Sequence, residues 1–203
     1  DPEARSRLRE ALGIAQDAFV VGHVGRFVAQ KNHAFLLKAF ARLRELRADA
    51  RLLLVGEGER MERIRRKAQA LGIADAVIFT GARRDVNRLY SVMDVFCLPS
   101  LYEGMPVVSM EAQANGLPVI CSDRVPAEAK MTDQMRQLPL GDAGLWADCL
   151  MQTRRTPGGG LPDGYDIDRA AGKLQEDYLR GRDGAGLRAE DDAKTIHAGR
   201  DVS

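Results

Sequence analysis

Short apolar runs alternating with segments of helical period constrain this chain more than any other feature. Phe19-Val-Val-Gly-His-Val-Gly25 reads as a first strand, apolar enough to be buried on both faces. Asn32 to Leu46 follows as an amphipathic helix with Phe35, Leu36, Ala39, Phe40, Leu43 and Leu46 on one face. The alternation continues with a strand at Arg51–Val55, a helix at 59–71 stopped by Gly72, and a strand at Ala76–Thr80. A helix at Val86–Met93, a strand at Val95–Leu98, a helix at Val107–Ala114 and a fifth strand at Leu117–Cys121 complete it. A short helix at 3–13 precedes the first strand. Strands alternating with helices form βαβ units around a parallel sheet, so the expected fold is a doubly wound, Rossmann-like α/β domain. Such sheets bind ligands at the carboxyl ends of their strands, near the reversal of strand order.

Beyond residue 123 the pattern thins. It predicts a short helix near 126–131, an extended piece at 135–138 and a helix near 142–153. The stretch 154–164 is a Gly/Pro loop by composition, and Asp166 is placed to cap a helix running to Leu179. From Gly181 to Ser203 there is charge and glycine without hydrophobic period, so poor order is expected there. The expected division is therefore one domain over 1–180 and a tail over 181–203.

The chain of 203 residues is 45% apolar with a net charge of +1, enough for a full core and no argument for nucleic acid. No stretch approaches the ~20 apolar residues of a membrane span. It opens Asp-Pro-Glu-Ala-Arg, without a start Met or a secretory leader, and is read as a piece of a longer protein. Cys97, Cys121 and Cys149 lack metal-ligand spacing. Cys97 and Cys121 lie in apolar runs, as buried thiols do, and reduced thiols fit a cytoplasmic location.

The chemistry concentrates in Ser100-Leu-Tyr-Glu-Gly-Met-Pro-Val-Val-Ser-Met-Glu-Ala-Gln-Ala-Asn-Gly-Leu-Pro118. Glu103 lies in the turn after the fourth strand, and Glu111 about a turn and a half inside the next helix. Pro106 is placed at the first helical position, where its missing N–H costs nothing, and Asn115-Gly116 ends the helix. A helix N-terminus with free N–H groups suits phosphate. Two acids flanking a phosphate-binding turn suggest hydroxyl ligands near a phosphate, that is, a sugar nucleotide. At the end of the first strand, Gly25-Arg-Phe-Val-Ala-Gln-Lys31 offers Arg26 as a planar fork and Lys31 as a point charge, the usual partners of phosphate oxygens.

Glu103-x7-Glu111 with Glu-Gly-Met-Pro between, continuing to Gly-Leu-Pro-Val-Ile-Cys-Ser-Asp123, resembles the signature of retaining, nucleotide-sugar-dependent glycosyltransferases of the group 1, glycogen-synthase-like family. The resemblance implies the second, donor-binding domain of a GT-B fold, in which two Rossmann-like domains face each other across a cleft. It implies an absent N-terminal domain that binds the acceptor, and a C-terminal helix crossing back to it. By the same resemblance Glu103 contacts the donor sugar, Arg26 and Lys31 bind the diphosphate with backbone around Gly104, Met105, Pro106 and Val107, and Glu111 holds the ribose. Gly25 and Gly56 lie close to the nucleotide, and Arg83, in the loop after the third strand, lies near the base. The Gly-Arg…Lys match departs from the family pattern in that Lys31 is followed by Asn32. The expected partners are a UDP- or GDP-sugar, the chain's own N-terminal domain and an acceptor glycan or lipid-linked saccharide. Peripheral association with the inner membrane face, through the missing domain, is a further expectation.

Each feature also has a plain alternative. Glu103 and Glu111 could be surface acids, and Arg26, Lys31 and Arg83 solvated charges. Val55-Gly-Glu-Gly-Glu59 lacks the third glycine of a dinucleotide fingerprint, since position 61 is Met. His23 is expected to be packed or hydrogen-bonded within its strand, and His33 to cap or lie on the surface. Asp166-Ile-Asp168 reads as a helix start. No carboxylate or His cluster argues for a metal, no cofactor is expected, and nothing matches a Ser-His-Asp set. The rival function is a non-catalytic nucleotide-binding or interaction module on the same fold.

Overall fold

The computed structural model describes residues 2–155. The helix expected from Asp166, the tail and the Asp166-Ile-Asp168 motif lie outside the described residues. Six parallel strands form one sheet, β1 Val20–Val24, β2 Arg51–Val55, β3 Val77–Phe79, β4 Val95–Leu98, β5 Val119–Ser122 and β6 Met135–Leu138, in the order β3-β2-β1-β4-β5-β6. The intervening helices are α1 Pro2–Ala11, α2 His33–Leu46, α3 Met61–Ala70, α4 Val86–Val92, α5 Val107–Ala114 and α6 Ala143–Gln152. The chain winds outward from β1 to β3, then returns to lay β4 against β1. The reversal opens a crevice at the carboxyl ends of β1 and β4. Both loops carrying the predicted chemistry start there.

Alternation along the strands builds two cores. Val21, Leu52, Leu54, Val95, Cys97 and Ile120 face one side, under Leu36, Phe40 and Leu43 of α2, Ile64 of α3, and Trp146 and Leu150 of α6. Val20, Leu53, Val55, Phe96, Leu98, Val119 and Cys121 face the other, under Leu89, Tyr90 and Val92 of α4 and Ala112 of α5. That is why the strands read as continuous apolar runs: both faces are covered. Gly22 sits mid-strand because Met93 fills the space a Cβ would need, with its Sδ 2.0 Å from that position.

Most element ends lie within two residues of expectation, but the helix expected near 126–131 is only a three-residue 3-10 turn, Ala127–Ala129, opened by Pro126. β5 begins at Val119, two residues later than predicted, because Pro118 has no N–H to pair; its carbonyl still accepts from Phe96 N at 2.9 Å. Pro106 precedes α5 instead of opening it. Its ψ of 88° is not helical, and its carbonyl accepts from Ser109 N at 2.9 Å, the position of a cap. Gly116 ends α5 with φ at +68°, the left-handed conformation that only glycine adopts readily.

α1 is held to the sheet by charge. Asp94, just before β4, accepts from Arg5 at 2.6 Å, Arg9 at 2.9 Å and Val20 N at 2.8 Å. Arg9 is fully buried and also donates to the carbonyls of Ala15, Gln16, Ala18 and Val92. Burial pulls its pKa below the ordinary value while Asp94 opposes the shift. Among the described residues no helix is long and apolar enough to cross a membrane.

Candidate functional site

The β1–α2 and β4–α5 loops meet over the crevice, and their contact is an ion pair. Lys31 Nζ donates to Glu103 Oε1 at 2.7 Å, with the two side chains only 16% and 7% exposed. The other carboxylate oxygen accepts from Gln30 Nε2 at 3.3 Å, and the same amide donates to Tyr102 O at 2.9 Å. Leu101 N donates to Gln30 O at 2.8 Å, fastening the two loops through backbone. Gln30 was not legible in the sequence as a site residue. The one available signal was its place between Arg26 and Lys31. A charge-assisted bond in a largely buried pair holds the carboxylate in one orientation and keeps the ammonium at the strand end.

The glycines explain how close these loops come. A Cβ on Gly25 would touch His23 Nε2 at 3.1 Å and the Lys31 stem at 3.4 Å, so the bare backbone lets the lysine lie across it. Gly56 has φ at +134°, and a Cβ there would stand 2.2 Å from Gly25 O. Gly56 N in turn donates to Gly81 O at 2.9 Å, so the loops after β1, β2 and β3 are stacked in a row. Arg26 is exposed, and among the described residues no hydrogen bond or ion pair engages its guanidinium. Arg83 is exposed as well, its fork taken up by Asp85 with both bonds at 2.8 Å. The structure therefore brings Lys31 and Glu103 together, leaves Arg26 free at the rim, and ties Arg83 to its neighbour.

Gly104, Met105 and Val107 are exposed, and a Cβ on Gly104 would project into open space. The first N–H groups of α5 have no partner within the helix. No side chain caps it, and its first turn carries no acid. Pro106 is buried beneath this turn. Glu111 is exposed one turn further in, where its Oε2 accepts from the Tyr90 hydroxyl at 2.8 Å. Tyr90 is the second residue the sequence did not reveal. It lies on another helix, and no spacing connects it to Glu111.

Two histidines lie behind the ion pair. His23 is fully buried with Nδ1 2.8 Å from Cys97 O, as expected of a packed strand residue. His33 corrects the expectation of a cap or surface residue: it is 2% exposed, stacked on Phe27 with centroids 4.1 Å apart and edge-on to His23 at 4.6 Å. The helix turns it inward because the side of α2 that starts at residue 33 is its core side. Burial drives the His23 pKa down to about 4 and that of His33 to about 2, with neighbouring charge on Lys31 adding to both. Both imidazoles are therefore neutral packing groups at neutral pH. Among the described residues no group of three or more His, Cys, Asp or Glu could hold a metal ion.

A doubly wound domain with a lysine–glutamate pair at its switch point, an uncapped helix start and a second acid one turn on has the parts of a nucleotide-binding site. The chain belongs to the family of glycosyl transferases group 1, whose model matches residues 4–135, more than half of the chain. EpsF of Bacillus subtilis (strain 168) is 35% identical over 189 residues, covering 87% of this chain and 48% of that protein. The UDP-Gal:alpha-D-GlcNAc-diphosphoundecaprenol alpha-1,3-galactosyltransferase of Escherichia coli is 36% identical over 115 residues, 55% of this chain and 30% of that enzyme. The crystal structure of Anabaena HepE in complex with UDP and glucose superposes with a TM-score of 0.67 at 24% identity, over 74% of this chain and 42% of that one. The fold is thus that of one domain of the GT-B glycosyltransferases. This chain spans at most about half the length of these relatives.

Proposed function

We propose that this chain is the donor-binding half of a retaining glycosyltransferase that moves a hexose from a nucleoside diphosphate to a glycan or lipid-linked saccharide. The observation that carries the reading is the Lys31–Glu103 pair at the reversal of strand order, 2.7 Å apart, in a chain of this family. In this reading Glu103 accepts from hydroxyls of the donor sugar and fixes its anomeric carbon at the crevice. Lys31 stands between that sugar and the diphosphate, and Arg26 swings in from the rim. As the sugar–phosphate bond breaks, negative charge grows on the leaving oxygen, where fixed cations lower the barrier. The free N–H groups around Gly104, Met105 and Val107 hold the phosphates with the positive end of α5. Glu111 takes the ribose hydroxyls. Gly25 and Gly56 let the nucleotide approach the loop backbone, with Arg83 at the base. In this reading the phosphate charge is met by Arg26, Lys31 and the start of α5, and the donor is a substrate and not a cofactor.

The acceptor class is supported by the diphosphoundecaprenol substrate named for the Escherichia coli relative. It is consistent with a cytoplasmic enzyme whose other domain meets the membrane face. The test is direct. The full-length protein, offered a panel of UDP- and GDP-sugars, transfers one with the anomeric configuration kept, read by NMR of the product. Inversion would overturn the retaining reading. Nucleotide binding without transfer to any acceptor would favour the non-catalytic module instead.

A further inference from the structure

We propose that Tyr90 is the positioning residue for Glu111, and that through it the site prefers ribonucleotides over deoxyribonucleotides. The inference rests on the reading of Glu111 as the ribose ligand. Glu111 is an exposed glutamate on a helix surface, a setting in which the side chain ordinarily samples several rotamers. Here it does not stand alone. Tyr90, on α4, is 1% exposed, with its ring packed edge-on against Phe96 at 5.9 Å between centroids. Its hydroxyl reaches α5. There it lies 2.8 Å from Glu111 Oε2 and 3.3 Å from Val108 O. A phenol has one proton to give. The shorter distance and the charged acceptor assign it to the carboxylate.

The consequence follows from what a vicinal diol requires. Two neighbouring hydroxyls must find acceptor lone pairs on one carboxylate in a fixed plane. Tyr90 occupies one lone pair of Oε2, while Oε1 has no hydrogen-bond partner among the described residues. A ring anchored in the core thus holds one oxygen of a surface carboxylate in place before any ligand arrives, and narrows the orientations the other can take. Pre-set geometry removes the ordering cost that a free glutamate would meet on binding. Burial, then the bond to Glu111, raises the phenol pKa above its ordinary value, so the hydroxyl stays a donor. A deoxyribose offers one hydroxyl fewer and draws less from this arrangement. Removal of the phenol oxygen should therefore weaken ribose recognition specifically.

The experiment titrates the whole 203-residue chain with UDP, GDP and their 2′-deoxy forms by calorimetry. In Tyr90→Phe the ribonucleotide Kd rises about three- to tenfold, the range expected for releasing one immobilised side chain. The deoxynucleotide Kd barely moves, and the preference narrows. Glu111→Ala abolishes the preference, and adding Tyr90→Phe to it changes nothing further, as expected of two groups acting as one. The phenylalanine keeps the packed ring, and an unchanged thermal midpoint confirms the fold. Equal weakening for both sugars would make Tyr90 a packing residue and overturn the inference, as would an unaltered preference. Either result leaves the donor-binding reading standing. No binding of any nucleotide by the wild-type chain would overturn both.

Discussion

At the scale of single residues, the Lys31–Glu103 contact changes how the two side chains are tested. Had they stood apart, each substitution would report one role. Joined at 2.7 Å, loss of either frees the other. Lys31→Ala removes a charge-assisted bond worth about 1.5–3 kcal/mol, so nucleoside diphosphate binding should weaken roughly tenfold or more. Binding of the nucleoside alone should weaken much less. Isothermal titration with UDP against uridine reads the difference, and equal losses would dismiss the phosphate role. Glu103→Gln keeps the shape but ends the ion pair. If Glu103 holds the donor sugar as proposed, through contacts that strengthen at the transition state, this substitution in the full-length protein should lower kcat far more than it raises donor KM. A rise in KM alone would assign Glu103 to ground-state binding.

At the scale of elements, the site depends on how tightly three loops stack at the strand ends. Gly56 has φ at +134° and its Cβ position lies 2.2 Å from Gly25 O, a backbone atom that cannot rotate away. Gly56→Ala should cost about 1–3 kcal/mol in strain alone and displace the loop that carries Arg26 and Lys31. Urea unfolding and nucleotide titration should fall together, and a variant as stable and tight-binding as wild type would refute the close approach. At the opposite end of the sheet, Asp94 gathers Arg5, Arg9 and the amide of Val20. Asp94→Asn leaves the buried Arg9 guanidinium without its counter-charge, at a cost on the order of 3 kcal/mol. The urea midpoint should fall accordingly, with nucleotide affinity of the folded protein unchanged. A coincident loss of affinity would mean that this clamp reaches the site.

For the whole molecule, the buried histidines tie folding to pH. His23 and His33 have folded-state pKa values of about 4 and about 2, below the unfolded value of about 6.5. Below pH 6.5 the unfolded chain binds protons that the folded chain refuses. Their contribution is therefore whole above that pH and is lost as pH falls. Each histidine takes away about 1.4 kcal/mol per pH unit, His23 until about pH 4 and His33 further still. Urea unfolding at pH 7 and pH 5 should show the drop, and His33→Phe should reduce it. A stability profile flat between those values would contradict the burial of both rings.

Much of this was legible in the amino-acid sequence. The order of strands and helices followed from hydrophobic period, and strand β4 and helix α5 lie at the residues the pattern marked. Local signals suffice there because the period of an element is set by its own side chains and by the faces it must bury. The two loops bearing Arg26, Lys31 and Glu103, and the helix that carries Glu111, were recognisable for a similar reason: a turn leaving a strand and entering a helix is written in consecutive residues. The strand order was not. The placement of β4 beside β1 is decided by how the crossovers pack, and it alone sets Lys31 against Glu103 across 72 positions of sequence. The inward face of His33, the hold of Gln30 on Glu103 and that of Tyr90 on Glu111 are likewise contacts between elements. A side chain's neighbours on other elements are fixed only when helices settle onto the sheet, and so these were decided by the tertiary structure.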